Sequence, residues 1–391
     1  MTDDVRDLVS PRQPEPLDLL LVLVPLTEPD KVARVVPDLA VVLRADFFRS
    51  RSLLMGLSCA PAEELREHFI GCSTPGIPKI YALYNPHPCP WGSLVRRAVA
   101  AAVTLSANVT IALTPDEACA DRARALVHAI SNGFDMATAF SPAALAYRPV
   151  EGLLLSPLLR QVAGTRVVNP APRDFAFTLP VARYWHYQPW PAEKEVGVAL
   201  HLVLEALTAG FRVTEVALRE GVVPSKLDLR EFREAGEVLF RWLRAKGGTA
   251  ALQGAIPCSM DQVRLGAKAT VPAIGGLESL AMRSYRQSRS LLKAGISGAT
   301  LAELDRGFYR STPSVSSEAW ERSLLELFRT YSRVPSKVWL QALEPVFLGR
   351  MASFGRETVG RPLGEVLELF RGKQAPKPPI VRSAGAMERK G

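Results

Sequence analysis

Cysteine is scarce in this sequence, and the spacing of the few cysteines argues against a structural metal site. The 391 residues include five cysteines, none of which belongs to a CxxC pair. Because structural zinc sites usually draw on such pairs, we expect no zinc here. An odd number of scattered cysteines is typical of a reducing compartment, and the acidic N-terminus MTDDVRDLVS is unlike a secretory signal. We therefore expect a cytoplasmic protein.

Long apolar runs and basic stretches interleaved with aromatics are also missing. The run LDLLLVLVPL has about ten residues, whereas a helix needs about 20 to span a bilayer, so we expect no membrane span. Aromatic residues make up 7% of the chain, and despite the net charge of +9 we expect no specific nucleic-acid partner. Part of the positive charge lies in a Pro- and Lys-rich tail at 372–391, which we expect to be disordered.

Apolar residues reach 48%, enough for a sizeable core, and their pattern in the first half alternates between strands and helices. Continuous apolar or β-branched runs predict strands over Leu17–Val24, Leu39–Leu43, Lys79–Tyr84 and Asn108–Leu113. Amphipathic or alanine-rich segments predict helices over Asp30–Val36, Pro61–Phe69, Ser93–Leu105 and Asp121–Gly133. The alternation predicts the α/β class, with an open, mostly parallel, Rossmann-like sheet and ligands at the carboxyl ends of its strands.

After about Lys226 the pattern changes to amphipathic helices alone. We therefore expect a flexible N-terminus, an α/β domain, an all-helical C-terminal domain and the tail. Their predicted bounds are 1–13, 14–230, 231–371 and 372–391.

Three stretches of the sequence follow motifs of a known family. SPLLRQVAGTRVVNPAPRDFAFT, at 156–178, aligns without gaps with the motif YPLxRxLxGxRxRQPxGGDFGFS. GVALHLVLEALTAGFRV, at 197–213, is similar to GIDIWMTTTAIAEGFRV, and LEPVFLGRMASFGRET, at 343–358, is similar to LTPLYLGRVASFVxET. The sequence thus resembles the nucleotide-sugar glycosyltransferases of the GT-A fold, in particular the glucosyl-3-phosphoglycerate synthase and mannosylglycerate synthase group.

The first of these stretches also predicts its own local structure. It reads as a helix end, a turn at Gly164, a short strand, a proline-rich loop and a second short strand. The positions that match the family motif are Pro157, Leu158, Arg160, Gly164, Arg166, Pro170, Asp174, Phe175 and Phe177.

The resemblance implies a UDP- or GDP-linked sugar as donor and a homo- or hetero-oligomeric protein. The remnants of a nucleotide-sugar site that it implies are Asp46, Gly92, Ser93, Arg96, Thr114 and Asp116. The family's two-carboxylate metal motif stands here as Thr114-Pro115-Asp116. Asp116 is therefore at most one ligand of Mg²⁺ or Mn²⁺. Alternatively, the same residues start a helix, with Thr114 as its N-cap.

Other family positions have lost the residue type that a donor site uses. Trp91 stands in place of a lysine, Ala199 in place of an aspartate, and Val222 near the place of a histidine. Phe47 and Phe48 replace glycines beside Asp46, either to stack on a base or to fill a vacated pocket.

The resemblance also implies that the proline-rich loop, through Arg173 and Asp174, contacts the acceptor or the sugar. Asp174 can bind sugar hydroxyls or cap a turn. Arg96 can meet a phosphate or be solvated, and the aromatic cluster Tyr184–Trp190 can bind a sugar ring or cover an edge of the core.

Two main functions follow. In the first, the protein is a catalytically degenerate glycosyltransferase that acts as a binding or structural partner, because the changed residues are those that meet the donor. In the second, it is an active transferase with a rebuilt site, in which arginines can replace the metal. The residues available for such a site are Arg44, Asp46, Arg96, Asp116, Arg173 and Asp174. A third reading is an interaction scaffold assembled through the helical half, with the basic tail tethering an acidic partner or only solvated.

Overall fold

The computed structural model describes most of the chain. The described residues are 16–44, 51–59, 63–84, 90–116, 118–141, 148–191, 195–218, 229–245, 258–259, 276–310, 312–331, 334–358, 361 and 365–366. The predicted N-terminal segment, the C-terminal tail, Asp46, Phe47, Phe48 and Val222 lie outside these ranges.

One sheet organises the first half of the described chain. Its strands are β1 Leu19–Leu23, β2 Ser52–Ser58, β3 Lys79–Leu83, β4 Val109–Leu113, β5 Met136–Phe140, β6 Asp174–Thr178, β7 Val213–Ala217 and β8 Cys258–Ser259. The described strands lie in the order β3-β2-β1-β4-β6-β5-β7-β8. Among the described strands, β6 alone runs antiparallel to its neighbours. The order 3-2-1-4 is that of the nucleotide-binding half of doubly wound α/β proteins.

The central strand β1 shows why the sheet forms from this sequence. All five of its residues are buried, and Leu21 pairs with Leu54 of β2 and Ile111 of β4. Leu20 and Val22 face one core cluster, whereas Leu19, Leu21 and Leu23 face the other. A continuous apolar run therefore suits a strand covered on both faces, as predicted for Leu17–Val24.

The other regular elements of the described chain are helices. They are α1 Pro29–Arg44, α2 Glu63–Gly71, α3 Trp91–Thr104, α4 Ala120–Ser131, α6 Leu179–Tyr187, α7 Glu195–Thr208, α8 Leu229–Ala245, α9 Leu277–Gly295, α10 Gly298–Phe308, α11 Ser317–Tyr331 and α12 Ser336–Thr358. Element α5 combines the π-helical segments Val150–Leu155 and Leu159–Ala163 with the α-helical turn Ser156–Leu158 between them. The predicted class, a mostly parallel α/β sheet followed by helices, is confirmed. The expectation of an all-helical segment over 231–371 is wrong at one place, because β8, Cys258–Ser259, lies within it and pairs with β7.

The predicted strand at Leu39–Leu43 is wrong, because these residues form the last turns of α1. Val32, Val35, Val36, Leu39 and Leu43 are buried at helical spacing against the sheet. A short apolar run does not distinguish a buried helix from a strand by itself. The second strand is β2, SLLMGLS, which the sequence reading left unassigned.

The helical half packs directly on the α/β half. The Trp320 indole Nε1 of α11 donates a hydrogen bond to the Leu153 carbonyl of α5 at 2.5 Å. Arg160 of α5 forms an ion pair with Glu321 at 2.8 Å. Side chains of both halves contribute to one core cluster. The domain boundary near residue 230 remains a prediction.

Two smaller expectations concern cysteines and membranes. Cys72 and Cys119 are free, but Cys59 is part of a disulfide, which departs from the expectation of fully reduced cysteines. Among the helices described, none combines the length and hydropathy that crossing a membrane requires.

Candidate functional site at the carboxyl edge of the sheet

The carboxyl ends of β1 and β4 meet at one edge of the sheet, where the fold predicts a ligand. Thr114 directly follows β4. Because β6 is antiparallel to β4, with Ala112 opposite Phe175, the first residue of β6 lies at the same edge. That residue is Asp174. The structure therefore brings together Thr114 and Asp174, which lie 60 residues apart in the sequence.

Both carboxylate oxygens of Asp174 have protein partners. Oδ1 accepts hydrogen bonds from the Thr114 backbone N–H at 2.7 Å and from the Thr114 hydroxyl at 2.9 Å. Oδ2 accepts one from Nη1 of Arg122, on α4, at 2.5 Å. The side chains of Arg122 and Asp174 are only 2% and 1% exposed. Asp174 is therefore part of a buried ion pair that joins β4, β6 and α4.

These contacts decide between the roles that the sequence left open for Asp174, which were sugar binding and turn capping, and they also test Thr114 as a helix N-cap. Asp174 neither reaches solvent to bind a sugar nor caps a turn. The helix predicted to start at Thr114 begins at Ala120, and its N-cap is Cys119. The Ala120 N–H donates to the Asp38 carboxylate of α1 at 2.7 Å. Thr114 is therefore not an N-cap, and its polar groups bind Asp174 instead.

Asp116 points to a different partner. It forms an ion pair with Lys31, which also contacts Glu28 at 2.6 Å. The hydrogen bond to Asp116 raises the pKa of Lys31 above its ordinary value. Within the described ranges, no group of three His, Cys, Asp or Glu side chains is placed to hold a metal. Mg²⁺ or Mn²⁺ does not fit these residues, because a cation already occupies each carboxylate.

The start of α3 occupies the position of the family's lysine loop. Trp91 is 6% exposed, and its ring meets Phe175 of β6 edge to face at 6.2 Å. Gly92 and Ser93 are buried beside it. Among the described residues, Trp91 Nε1 and Ser93 Oγ have no hydrogen-bond partner. An aromatic ring therefore packs where the sequence resemblance implies a lysine, beside two buried polar groups that no described residue binds.

The proline-rich loop is held by a carboxylate that the sequence reading missed. Gly164 ends α5 in the left-handed conformation, with φ of 68°. The predicted short strand after it is wrong, because residues 165–169 do not join the sheet. Instead, Glu215 of β7 accepts the backbone N–H of Val168 at 3.0 Å and of Asn169 at 2.6 Å. Glu215 is 1% exposed. The sequence does contain a signal for this role, because Glu215 is the one carboxylate in the otherwise uncharged segment VTEVA, and a buried carboxylate needs hydrogen-bond donors.

Glu215→Gln should lower the free energy of unfolding by about 1–3 kcal/mol, because the hydrogen bonds lose their charge assistance and an amide –NH₂ replaces the Oε2 that also accepts the Val168 N–H. Urea denaturation of the variant measures this loss. The exposed Glu318→Gln is the matched control, and an equal midpoint for both variants would contradict the role of Glu215.

A second missed cluster surrounds the buried Glu151 of α5. Arg173 forms an ion pair with Glu231 of α8 at 3.2 Å, and both lie close enough to act electrostatically on Glu151. Burial raises the pKa of Glu151 to about 7, Glu231 adds to the rise, and Arg148 and Arg173 oppose it. This cluster holds a carboxyl group that titrates near neutral pH.

The arginines of the rebuilt-site hypothesis do not meet in one pocket. Arg44 donates to the Pro75 carbonyl at 2.5 Å, and the Arg96 guanidinium lies 5.9 Å from the Trp190 ring centroid. Arg173 is paired with Glu231, as described above. These three cations therefore have three separate environments.

The aromatic cluster Tyr184–Trp190 divides into a buried and an exposed part. Its first residues lie in helix α6. Trp185 is buried and its ring lies 5.0 Å from that of Phe177, whereas Tyr187 is 77% exposed. Ala199 is buried in α7.

Strand order and the polar edge together define an α/β protein of the doubly wound kind. No protein-family model matches the sequence, and no curated protein sequence matches it. Among solved structures, glucosyl-3-phosphoglycerate synthase from Mycobacterium tuberculosis, in complex with Mn²⁺, UDP and glucosyl-3-phosphoglycerate, aligns at 16% identity and a TM-score of 0.45. This alignment covers 62% of this chain and 82% of that one.

Two further structures show comparable similarity. Mannosyl-3-phosphoglycerate synthase from Rubrobacter xylanophilus aligns at 16% identity and a TM-score of 0.44, over 59% of this chain and 76% of its own. A mannosyltransferase from Pyrobaculum calidifontis, in complex with GDP-Man and Mn²⁺, aligns at 10% identity and a TM-score of 0.35, over 93% and 83%. Similarity at this level does not identify a substrate or a reaction for this chain.

Proposed function

We propose that this protein is a relative of the GT-A nucleotide-sugar glycosyltransferases that no longer transfers sugar and acts as a binding or structural partner. The observation that carries the proposal is the buried contact of Asp174 with Arg122 and Thr114. A carboxylate that is 1% exposed and neutralises an internal arginine does not face a site where a sugar or a metal could bind.

The chemistry of sugar transfer explains why this matters. The departing nucleoside diphosphate develops negative charge, which a site stabilises with a metal ion or fixed cations. Removing one such stabilising group typically costs about 2.7–4 kcal/mol in the transition state. Here Trp91 replaces a cation, and Asp116 is engaged by Lys31. Arg96 and Arg173 contact Trp190 and Glu231 instead of each other.

Calorimetric titration with UDP, GDP, UDP-glucose and GDP-mannose, each with and without Mn²⁺, tests the proposal. We expect no metal-dependent binding and no release of UDP or GDP from the sugar nucleotides. Metal-dependent binding that disappears in Asp116→Asn would contradict the proposal and support the active alternative. Glu318→Gln, an exposed carboxylate elsewhere, is the matched control for loss of one negative charge.

A second candidate function is binding of a nucleoside diphosphate without transfer. It is favoured by the unpartnered Ser93 hydroxyl and Trp91 indole N–H at the start of α3, where backbone N–H groups favour anions. In the same titration, this candidate predicts metal-independent binding of UDP or GDP that Ser93→Ala weakens. Binding unaffected by Ser93→Ala would argue against this location.

The assembly and the compartment of the protein are also proposals. We propose a homo- or hetero-oligomer, as the family resemblance suggests, in the cytoplasm, as the scattered cysteines and the acidic N-terminus suggest. Sedimentation velocity of the purified chain measures the self-association directly. A monomer at all concentrations would leave only a hetero-oligomer compatible with the proposal.

A further inference from the structure

A face that combines arginine with aromatic rings lies on α3 and α6, outside the polar network at the sheet edge. We call it the arginine–aromatic face, and its residues are Tyr84, Arg96, Arg97, Arg183, Tyr187 and Trp190. The sequence does not reveal it, because these residues lie in separate segments. The packing of α3 against α6 brings the two helices together, and Arg96 and Arg97 of α3 reach Trp190 after α6 and Tyr84 after β3.

Two of the arginines rest on aromatic rings. The Arg97 guanidinium carbon lies 4.5 Å from the centroid of the Tyr84 ring, and that of Arg96 lies 5.9 Å from the Trp190 ring. Trp190 is itself fixed, because its Nε1 donates to the Trp185 carbonyl at 2.9 Å. Stacking on a ring limits the motion of a guanidinium and leaves its N–H edge available.

The two helices that carry this face contribute positive charge and no acidic residue of their own. The helices α3 and α6, WGSLVRRAVAAAVT and LPVARYWHY, contain three arginines and no aspartate or glutamate. No carboxylate contacts Arg96, Arg97 or Arg183 in the described part of the chain. Elsewhere in that part, Arg66, Arg124, Arg233 and Arg322 each pair with an acidic side chain.

An exposed aromatic residue completes the face. Arg183 and Tyr187 are both exposed and stand four residues apart on α6, so they lie on one side of that helix. Tyr187 is 77% exposed. Arginine, tyrosine and tryptophan are the residue types that dominate the binding energy of protein interfaces.

We propose that the arginine–aromatic face binds an acidic segment of a partner protein, with partner carboxylates on the guanidinium edges of Arg96 and Arg97. Single-stranded nucleic acid is disfavoured, because it needs bare rings on which bases can stack. Here guanidinium groups cover the rings of Tyr84 and Trp190, which leaves Tyr187 as the uncovered ring of this face, and one ring cannot stack successive bases. The proposal does not depend on whether the donor site is active, because none of these contacts involves Asp174 or Asp116.

The test uses the full chain and a labelled synthetic peptide of alternating aspartate and glutamate, with fluorescence anisotropy as the readout. Arg96→Ala with Arg97→Ala should weaken binding about tenfold or more, because two charge-assisted contacts are lost. The matched control is Arg283→Ala with Arg286→Ala, which removes the same charge from exposed positions on α9. It should change the affinity less than about twofold.

Two further measurements distinguish binding of an acidic segment from general charge attraction and from binding of nucleic acid. Tyr187→Ala should weaken peptide binding with no change in charge. A labelled oligothymidine should lose no more affinity in the Arg96/Arg97 double variant than in the Arg283/Arg286 control. Equal losses of peptide affinity in the two double variants would overturn the proposal in favour of general charge attraction. A larger loss for oligothymidine than for the peptide would overturn it in favour of nucleic acid. Thermal unfolding of each variant confirms that the fold is retained.

Discussion

Replacing Arg122 with methionine should lower the free energy of unfolding by about 3–5 kcal/mol, because it leaves the Asp174 carboxylate buried without its cation. Methionine keeps much of the side-chain volume, so the loss reports the charge more than a cavity. Asp174 would keep only the Thr114 contacts at 2.7 and 2.9 Å. Urea denaturation followed by circular dichroism measures the change.

The double variant Arg122→Met with Asp174→Asn separates the ion pair from general packing. Removal of both charges should recover part of the lost stability, since no buried charge then remains uncompensated. Arg124→Met, on the same helix but 45% exposed and paired with Asp121 at 3.0 Å, is the matched control and should cost much less. If the two single arginine variants were equally stable, Arg122 would not be the buried cation of this edge.

Glu151→Gln should make the protein more stable at pH 8 and leave its stability at pH 4 nearly unchanged. Burial raises the pKa of Glu151 from its ordinary value of 4.5 to about 7 in the folded protein. Between these pH values the folded chain holds a proton that the unfolded chain has released. The free energy of unfolding of the wild type therefore falls as the pH rises through this window, and it stays lower above it. The full loss is about 3 kcal/mol.

The measurement is a series of urea denaturations of wild type and variant between pH 4 and pH 8. The difference should grow with pH and level off above the folded pKa. Glu318→Gln, at an exposed position of α11, should show no such pH-dependent difference. A difference that is constant across the series would show that Glu151 does not titrate in this window, and so that the Glu151 cluster lacks the proposed electrostatics.

The sequence by itself determined the elements whose pattern is local. β1, β3 and β4 lie where their apolar runs predict strands. The continuous runs of β1 and β4 suit strands buried on both faces, which need no alternation. Helices α3 and α4 follow from periodicity in the same way. The strand predicted at Leu39–Leu43 is wrong, because a short apolar run fits the buried face of a helix as well as it fits a strand, and here it belongs to α1.

The tertiary structure decided what the polar residues do. Thr114 and Asp174 were found from sequence, but their mutual contact and Arg122 were not, because the partners lie 52 and 60 residues from Asp174. Glu215 meets Val168 across 47 residues. Arg96 meets Trp190 only because α3 packs on α6. Residue type sets which charges and hydrogen bonds a chain can form, whereas the partner of a buried charge depends on which elements the fold places within a few ångströms.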